Sequence, residues 1–522
     1  MQFSFLNSSR NQLLFLLILT TVLLFSGLNK TPIYILDEAR NAQCAREMLH
    51  RNDWIVPTFN NQLRQQKPPL HYYAMMTAYS IFGNTPFGAR FFSGICGVLL
   101  IVSLYFFVKR FTNELTAFIS CLILLSSTHF LFEFRLSVPD PYLILFFTIT
   151  LFCFYIYMQS QKTFWLILAS VAMALAVLSK GPVALGLAGV PILVWTIWEK
   201  KTKILFRPQL FLAIIIFITI SLPWYILVHL KTDGAFTREF FLEQNLQRFN
   251  EPLEGHGGWF VLIPVFVIVG LLPFSSFIFQ ASKTIKNDFK NGLLKYCLLI
   301  SIWVVLVFSI ASTKLPNYPM LCYPFMAIWL AVWFERLYQN KSKIKSFSWY
   351  IIIAINILLG IGVYILLKND NVFHTFKWWG ILFLALATTC VFAFLYFKKK
   401  QVLQSFQLFV IGYTVFNFLF LTFAYPAIYQ NNPVTTSLSI IKNKKLYAYG
   451  MYNPAYNFYV YQPIIDLATA NNIKKLWTIY PESIIVARES SLESLHGKLE
   501  YTIIHRYRDT FENPVTVLLA KK

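Results

Sequence analysis

Long apolar runs alternate with short polar segments along the chain up to about residue 427. A helix needs about 20 apolar residues to cross the hydrocarbon core of a bilayer, and the runs have about this length. They predict about thirteen membrane-spanning helices, so we expect an α-helical polytopic membrane protein. The runs centre near residues 20, 98, 124, 149, 171, 190, 220, 269, 302, 326, 358, 386 and 415.

Lysine and arginine residues are concentrated in alternate polar segments. Because loops rich in these residues stay in the cytoplasm, we expect these segments and the N-terminus to be cytoplasmic. The basic segments contain Lys109-Arg110, Lys162, Lys200 to Arg207, Lys283 to Lys295, Arg336 to Lys345 and Lys398 to Lys400. The segments between them, among them residues 30–86 and 231–258, are then expected to face outward, away from the cytoplasm, as is the tail from about residue 427.

Two outward segments have patterns typical of amphipathic helices that lie at a membrane surface. These juxtamembrane helices are expected over residues 37–49 and 236–249. In the first, Ala42 and Ala45 share one face and Arg46 lies off it.

The composition changes after Tyr425-Pro426, where the chain becomes polar. Short runs of β-forming residues predict strands over residues 446–449, 458–461, 483–486, 501–504 and 516–519. With helical stretches between them, these strands predict a small α/β domain outside the cytoplasm. We therefore expect a transmembrane domain over residues 1–428 and an outward-facing α/β domain over residues 429–522.

The composition supports a membrane protein. Charged residues make up 13% of the chain, against roughly 25% in a soluble domain. The net charge of +22 would favour a nucleic-acid partner in a soluble protein, but here the basic residues lie in loops between apolar runs. No basic stripe interleaves with stacking aromatic residues, so no nucleic-acid partner is expected. The seven cysteines show no spacing typical of a disulfide framework or a thiolate metal site.

Unusual polar groups follow the first apolar run. Asp37 and Glu38 are an acidic pair, with Arg40 close behind. An acidic pair at a helix start can simply cap the helix and favour its dipole, or Asp37 can orient or deprotonate an acceptor. Lys67 precedes two prolines that stiffen the backbone. It can be a lysine that reaches the headgroup level or a point charge for a phosphate.

Further charges fall in the other outward loops. Arg135 and Asp140 lie in one short loop, where capping of the next helix is the alternative to a site. Lys180 and Lys314 lie on the side where lysines are scarce, and each can be a simple anchor. His256 lies in a flexible Gly-rich turn without metal-ligand spacing, so a solvated histidine is the alternative to a ligand.

The order of these motifs resembles the dolichyl-phosphate-mannose protein mannosyltransferase superfamily, and within it the bacterial aminoarabinose (lipid A) transferase-like branch. The resemblance covers residues 12–335, and the later spans and tail agree in layout only. The matching stretches read LDEARNAQCAREMLHRNDWIVPTFN, KPPLHYY, FGAR, RLSVPDPYLILFF, LSKGP, LPWYI, FFLEQNLQRF, GHGG and STKLPNYPMLCYPF.

This resemblance implies a GT-C membrane fold with thirteen spans, two juxtamembrane helices and a C-terminal periplasmic domain. It implies a glycosyltransferase of a bacterial inner membrane whose donor is a sugar on a polyprenyl phosphate, usually undecaprenyl phosphate. By the family's motif, Asp37 corresponds to the principal active-site carboxylate and Asp140 to a second one. Lys67 and Tyr318 fall at positions associated with the donor phosphate.

This sequence departs from the family at one position that can bind a metal. Some family members have an acidic residue just before Lys-Pro-Pro, where this chain has Gln66. A divalent metal shared between such an acid and His256 is therefore not supported by a ligand motif, and no other cofactor is implied. The acceptor (lipid A, another glycan or a protein) and the oligomeric state stay open.

The residues can be interpreted as the parts of a sugar transfer. Positive side chains stabilise the charge that grows on the departing phosphate; the candidates are Lys67, Arg40, Arg135, Lys180 and Lys314. If the acceptor is a hydroxyl, Asp37 accepts its proton, which gives inversion in one displacement. If the acceptor is a phosphate, no base is needed and Asp37 orients the sugar. A transporter or flippase of lipid-linked or sugar substrates is the alternative. It should carry ionisable residues at span midpoints and related halves, whereas these charges cluster at one interface. A noncatalytic scaffold would not need that clustering.

Overall fold

The structure is a computed structural model that describes residues 8–243, 257–285, 292–339, 345–370, 372–510 and 514–522. Packing divides the chain into two compact units. The first comprises Met1–Ser26, Gln65–His71 and Arg90–Leu421, and the second comprises Gly27–Arg64, Tyr72–Ala89 and Thr422–Lys522. The domain boundary expected at residue 428 stays a prediction.

Helices account for most of the described residues. The helices of the first half are α1 (Ser9–Phe25), α2 (Leu36–Arg51), α3 (Leu70–Phe82), α4 (Pro86–Phe111), α5 (Glu114–Ser126), α6 (Thr128–Glu133), α7 (Asp140–Ser160), α8 (Thr163–Lys180), α9 (Val183–Trp198), α10 (Pro208–Lys231) and α11 (Ala235–Phe241). Those of the second half are α12 (Leu262–Gly270), α13 (Ile278–Ile285), α14 (Gly292–Ile310), α15 (Tyr323–Tyr338), α16 (Phe347–Lys368), α17 (Gly380–Lys398), α18 (Val402–Leu419), α19 (Tyr425–Tyr429), α20 (Pro433–Ile441), α21 (Ala455–Val460) and α22 (Ala470–Ile479). Short 3₁₀ segments cover Thr202–Phe206, Phe274–Phe277, Tyr318–Cys322, His374–Trp379 and Glu489–Leu495.

The predicted polytopic helical fold is confirmed. Within the described ranges, nine helices are long and apolar enough to cross a membrane. The pair Leu262–Gly270 and Phe274–Lys283, bent by 112°, makes a tenth if it is one span, and α1, α5 and α9 are shorter apolar helices. Every predicted centre of an apolar run lies in one of these helices. The number of helices that cross the bilayer stays a prediction.

Aromatic side chains form part of the core of the first unit. Trp333 and Trp349 are fully buried. The ring of Trp349 lies 5.3 Å from the rings of both Phe277 and Phe409, centroid to centroid. Edge-to-face contacts of this kind add to the free energy of burial. They hold α15, α16 and α18 against the 3₁₀ segment that follows the bend.

A four-stranded sheet lies at the centre of the second unit. Its strands are β3 (Leu446–Tyr449), β4 (Ile484–Arg488), β5 (Tyr501–Arg508) and β6 (Val515–Lys521), after a hairpin of β1 (Thr58–Phe59) and β2 (Gln62–Leu63). The order is β3-β4-β6-β5; β3 and β4 are parallel, and the other neighbours are antiparallel. Successive residues of a strand point to opposite faces. Ile484 and Val486 pack into one core and Ile485 and Ala487 into another, so β4 is covered on both faces.

Four of the five predicted strands are present, and the prediction for residues 458–461 is wrong. Those residues lie at the end of α21, where they are part of a helical turn. The Asn453 side chain accepts a hydrogen bond from the Ala455 amide, which favours the helical start. The buried guanidinium of Arg46 donates to the carbonyl oxygens of Asn457 and Phe458 at 2.8 Å. These two carbonyls therefore bind a side chain and not a neighbouring strand.

The first juxtamembrane helix is confirmed as a helix, α2. Its alanines pack in the core of the second unit as the pattern indicates, but Arg46, expected off the apolar face, is also buried. The second predicted helix begins as α11, and residues 244–256 lie outside the described residues.

Candidate active site

The hairpin of α7 and α8 brings two predicted site residues together. α7 begins at Asp140 and α8 ends at Lys180. The two helices pack side by side and are joined by two residues, so the start of one lies beside the end of the other. The Lys180 ammonium lies 2.6 Å from a carboxylate oxygen of Asp140. An anion at a helix N-terminus and a cation at a helix C-terminus also interact favourably with the helix dipoles.

Tyr318 is the third predicted residue at this place. It begins a 3₁₀ segment in the loop after α14. The Lys180 ammonium lies over its ring, 4.9 Å from the centroid, which is the distance of a cation–π contact. On the other side Tyr318 packs against Phe308, with 4.7 Å between the ring centroids. The ring is therefore fixed between an apolar neighbour and a charge.

A cavity of about 470 Å³ lies within the first unit and is lined by these three residues. Its polar lining consists of Gln66, Lys67, Asp140, Lys180, Thr313, Asn317 and Tyr318. The remaining lining residues are Leu143, Ile144, Pro182, Val183, Leu187, Phe240, Phe241, Val307, Phe308, Ala311 and Leu321. A cavity with a few converging polar groups in an apolar wall is typical of a small-molecule site. It suits a ligand that has a charged head and an apolar body.

Lys67 lines the same cavity and is nine-tenths buried. It belongs to the segment Gln65–His71 of the first unit. The Gln65 amide donates a hydrogen bond of 3.1 Å to the carbonyl of Ala235 at the start of α11. Two prolines after Lys67 restrict the backbone further. The structure therefore places two lysines, an aspartate and a tyrosine in one cavity.

Arg135 binds backbone carbonyls. Its guanidinium donates to the carbonyl oxygens of Leu23 at 2.6 Å, Ser26 at 2.8 Å and Leu421 at 3.0 Å. Leu23 and Ser26 lie at the C-terminal end of α1, where carbonyls lack helical partners. Arg135 does not line the cavity, and these contacts favour a structural role for it.

Lys314, like Arg135, binds backbone carbonyls. Its ammonium donates to the carbonyl oxygens of Ser309 and Ala311 at the end of α14. Burial lowers the pKa of this ammonium. It does not line the cavity, although its neighbour Thr313 does. The predicted contact of Lys314 with a donor phosphate stays a prediction.

The acidic pair lies in the first turn of α2, in the second unit. Ile35 is the residue that caps this helix, and no side chain accepts a capping hydrogen bond there. Asp37 is therefore not the N-cap. Its side chain is half exposed and lies 3.9 Å from the Arg40 guanidinium, whereas Glu38 is buried. Asp37 thus has the accessibility that a reacting carboxylate needs.

Arg64 fixes the helix that carries Asp37, and the sequence motifs had not singled it out. It is buried, and it donates to Asn41 of α2 at 3.0 Å and to the Tyr72 hydroxyl of α3 at 3.1 Å. The pKa of its guanidinium is shifted upward: burial opposes the shift, and the negative charge of Asp37 is among the interactions that favour it. In the sequence, Arg64 can be recognised only as a charged residue three positions before Lys67, in a segment with few acidic residues.

The described residues contain no cluster of three histidine, cysteine, aspartate or glutamate side chains that could hold a metal ion. His256, the only histidine predicted as a candidate, lies outside the described residues. The predicted site residues therefore fall into two groups. The second unit contains Asp37, Glu38 and Arg40, and the cavity of the first unit is lined by Lys67, Asp140, Lys180 and Tyr318.

Several known proteins are similar to this chain. The family described as dolichyl-phosphate-mannose-protein mannosyltransferase matches residues 66–227. An uncharacterized protein of Aquifex aeolicus is 30% identical over 355 residues, which are 66% of this chain and 69% of that protein. An undecaprenyl phosphate-alpha-4-amino-4-deoxy-L-arabinose arabinosyl transferase of Enterobacter is 31% identical over 347 residues, 64% of this chain. The matched part spans 62% of that transferase.

A solved structure shows the fold. ArnT from Cupriavidus metallidurans, in its crystal structure bound to undecaprenyl phosphate, superimposes with a TM-score of 0.79 at 20% identity and covers 97% of both chains. In its apo state the TM-score is 0.81. The predicted GT-C architecture, with its small C-terminal sheet, is therefore confirmed.

Proposed function

We propose that this chain, which belongs to the dolichyl-phosphate-mannose-protein mannosyltransferase superfamily, transfers a sugar from undecaprenyl phosphate to an acceptor at the periplasmic face of a bacterial inner membrane. The protein is a multi-pass membrane glycosyltransferase similar to the aminoarabinose transferases. The observation that carries the proposal is the cavity of the first unit. Lys67, Lys180 and Tyr318 can face a phosphate while the apolar wall faces the first part of a prenyl chain.

The charges suit the leaving group of such a reaction. The donor is a phosphodiester with one negative charge. When the bond between the anomeric carbon and the phosphate oxygen breaks, its electron pair stays on that oxygen, and the product is a phosphate monoester that approaches two charges at neutral pH. Fixed cations in a poorly hydrated cavity stabilise this developing charge more than bulk water does. Lys67 is the cation that we assign to the donor phosphate, with Tyr318 beside it.

The acceptor attacks the anomeric carbon from the face opposite the leaving phosphate, which inverts its configuration. If the acceptor is a hydroxyl, its proton goes to the carboxylate of Asp37. If the acceptor is a phosphate, no proton is transferred, and Asp37 orients the sugar. The half-exposed side chain of Asp37 on a helix fixed by Arg64 supports either role.

The relatives supply the candidate substrates. The names of the Enterobacter and Edwardsiella ictaluri proteins specify aminoarabinose on undecaprenyl phosphate. We propose the same carrier lipid for this chain, and aminoarabinose or a related sugar as its cargo. Lipid A, another glycan and a protein are the candidate acceptors.

The orientation is part of the proposal. The basic loops favour a cytoplasmic N-terminus and a periplasmic C-terminal domain. A periplasm-active reporter fused after Lys522 should be active, and a cytoplasm-active reporter at the same position should be silent. The opposite pattern would place the C-terminal domain in the cytoplasm and contradict the proposed orientation.

Transfer itself can be tested with the purified full chain in lipid nanodiscs. We expect release of undecaprenyl phosphate and a glycosylated acceptor from undecaprenyl-phosphate-linked aminoarabinose and lipid A. Binding of the donor lipid without release of undecaprenyl phosphate, together with its movement across vesicle membranes, would instead favour a flippase.

A further inference from the structure

We infer that Asp140 is an internal counter-ion for Lys180, and that Lys180 moves from this carboxylate to the lipid phosphate as the phosphate gains its second charge. The inference rests on the proposed function, because it concerns the same cavity and the same donor. It assigns Lys180 to the charge that develops during the reaction and Lys67 to the charge that the donor already carries.

The contact between Lys180 and Asp140 is short and sheltered. The atoms lie 2.6 Å apart, and the two side chains are 15% and 9% exposed. Attraction between opposite charges is stronger in such a site than in water. The pair nevertheless lines the cavity, so a ligand in the cavity can reach it.

The number of charges also favours an exchange. With the pair intact, Lys67, Lys180 and Asp140 together carry one net positive charge, which matches the single negative charge of a phosphodiester donor. The phosphate monoester product approaches two negative charges. If Lys180 turns to the phosphate, the cavity supplies two cations at the moment when two are needed. A contact with the phosphate that forms only as the charge develops accelerates the chemical step. A contact that is equally strong in the bound donor and in the transition state does not.

The geometry gives Lys180 a route. The ammonium already lies over the Tyr318 ring, which Phe308 supports from the other side. A lysine side chain has four flexible methylene groups, so the ammonium can pivot across the ring face without losing that contact. Tyr318 also lines the cavity.

Asp140 keeps some stabilisation after Lys180 leaves. It is the first residue of α7, and a carboxylate in the first turn of a helix is stabilised by the helix dipole. Removal of one partner from a buried ion pair costs several kcal/mol when nothing replaces it. Here the phosphate replaces Asp140 as the anion, and the helix end supports Asp140. Its released carboxylate can then accept hydrogen bonds from the sugar.

The inference makes an unusual prediction for Asp140→Asn. Loss of a substrate-binding or structural residue should weaken ligand binding, but loss of a competing anion should strengthen the binding of the product lipid. We expect the D140N chain to bind undecaprenyl phosphate on the order of ten-fold more tightly than the wild-type chain at pH 8, while its transfer rate falls. Lys180→Met should weaken that binding, and D140N added to K180M should cause no tightening.

Binding can be measured with the full chain in nanodiscs and radiolabelled undecaprenyl phosphate, after size-exclusion chromatography has confirmed folding. Asp370→Asn is a matched control, because Asp370 caps a turn outside the cavity and its replacement should not change binding. Two results would overturn this inference but not the proposed function. One is that D140N binds undecaprenyl phosphate no more tightly than the wild-type chain. The other is that D140N tightens binding even in the K180M background. Absence of undecaprenyl phosphate binding by the wild-type chain would overturn the proposed donor as well.

Discussion

The Lys180 ammonium lies 4.9 Å from the centroid of the Tyr318 ring, although 138 positions separate the two residues in the sequence. The contact joins the end of α8 to the loop after α14. It places a positive charge against an aromatic face at the wall of the cavity, and it gives the first prediction.

Tyr318→Leu should impair sugar transfer more than Tyr318→Phe. Phenylalanine keeps the ring beneath Lys180, whereas leucine removes it. A cation–π contact in a sheltered site contributes about 0.5–2 kcal/mol, so we expect the ratio of transfer rates between the two variants to lie between about two-fold and thirty-fold. Initial rates with saturating acceptor measure it. Equal losses in the two variants would show that the hydroxyl matters and the ring does not.

Asp37→Asn should abolish transfer without affecting folding or membrane insertion. Asparagine keeps the shape of the side chain but removes the charge that orients the sugar or accepts a proton. Asp53→Asn is the matched control. Asp53 follows the C-terminal end of α2, where its carboxylate accepts hydrogen bonds from the amides of Ile55 and Val56. Near-normal transfer by D37N would end the role proposed for Asp37.

Lys67→Ala should weaken the use of the donor more than the use of the acceptor. Its ammonium is proposed to bind the donor phosphate, and loss of one such contact should cost a few kcal/mol of transition-state stabilisation. KM values for donor and acceptor, measured separately, show the difference. Gln65→Ala, which changes the same segment without removing a charge, should have a smaller effect. A change of the same size for both substrates would argue against a phosphate contact.

Arg64→Met should destabilise the second unit. It removes two buried hydrogen bonds from the Arg64 guanidinium, one to Asn41 and one to Tyr72, at a cost of about 2–4 kcal/mol in the free energy of unfolding. The midpoint of thermal unfolding of the full chain in detergent should fall. Arg51→Met is the control, because Arg51 is an exposed arginine at the end of α2, the helix that Arg64 contacts, and its loss should lower the midpoint little. Similar shifts for both variants would contradict the role of Arg64.

The sequence singles out several residues of the cavity because charges are few in the outward loops. The alternation of basic loops predicts Lys67, Asp140 and Lys180 on one side of the membrane, the family resemblance adds Tyr318, and all four line one cavity in the structure. Their roles in the reaction stay predictions. Their partners could not be predicted in this way. The ion pair of Asp140 and Lys180 forms because α7 and α8 pack side by side as a hairpin. The sequence predicts the lengths of the two helices but not how closely they pack.

Other side chains are harder to interpret because a sequence shows a charge but not what the charge faces. Arg135 looked like a phosphate ligand, yet it binds carbonyls at the end of α1. Residues 458–461 have a strand-like composition, but the carbonyls of Phe458 and of Asn457 before it bind Arg46, more than 400 positions earlier. Arg64 was overlooked because its partners are a neutral amide and a phenol, which no charge pattern reveals.

Mass spectrometry of envelope glycolipids and glycoproteins, from cells with and without this chain, tests the central claim most directly. We expect one sugar-bearing species to disappear when the chain is absent, to return with the wild-type chain, and to stay absent with D37N. An unchanged envelope, or full restoration by D37N, would contradict the account of this protein as a transferase that acts through the proposed site.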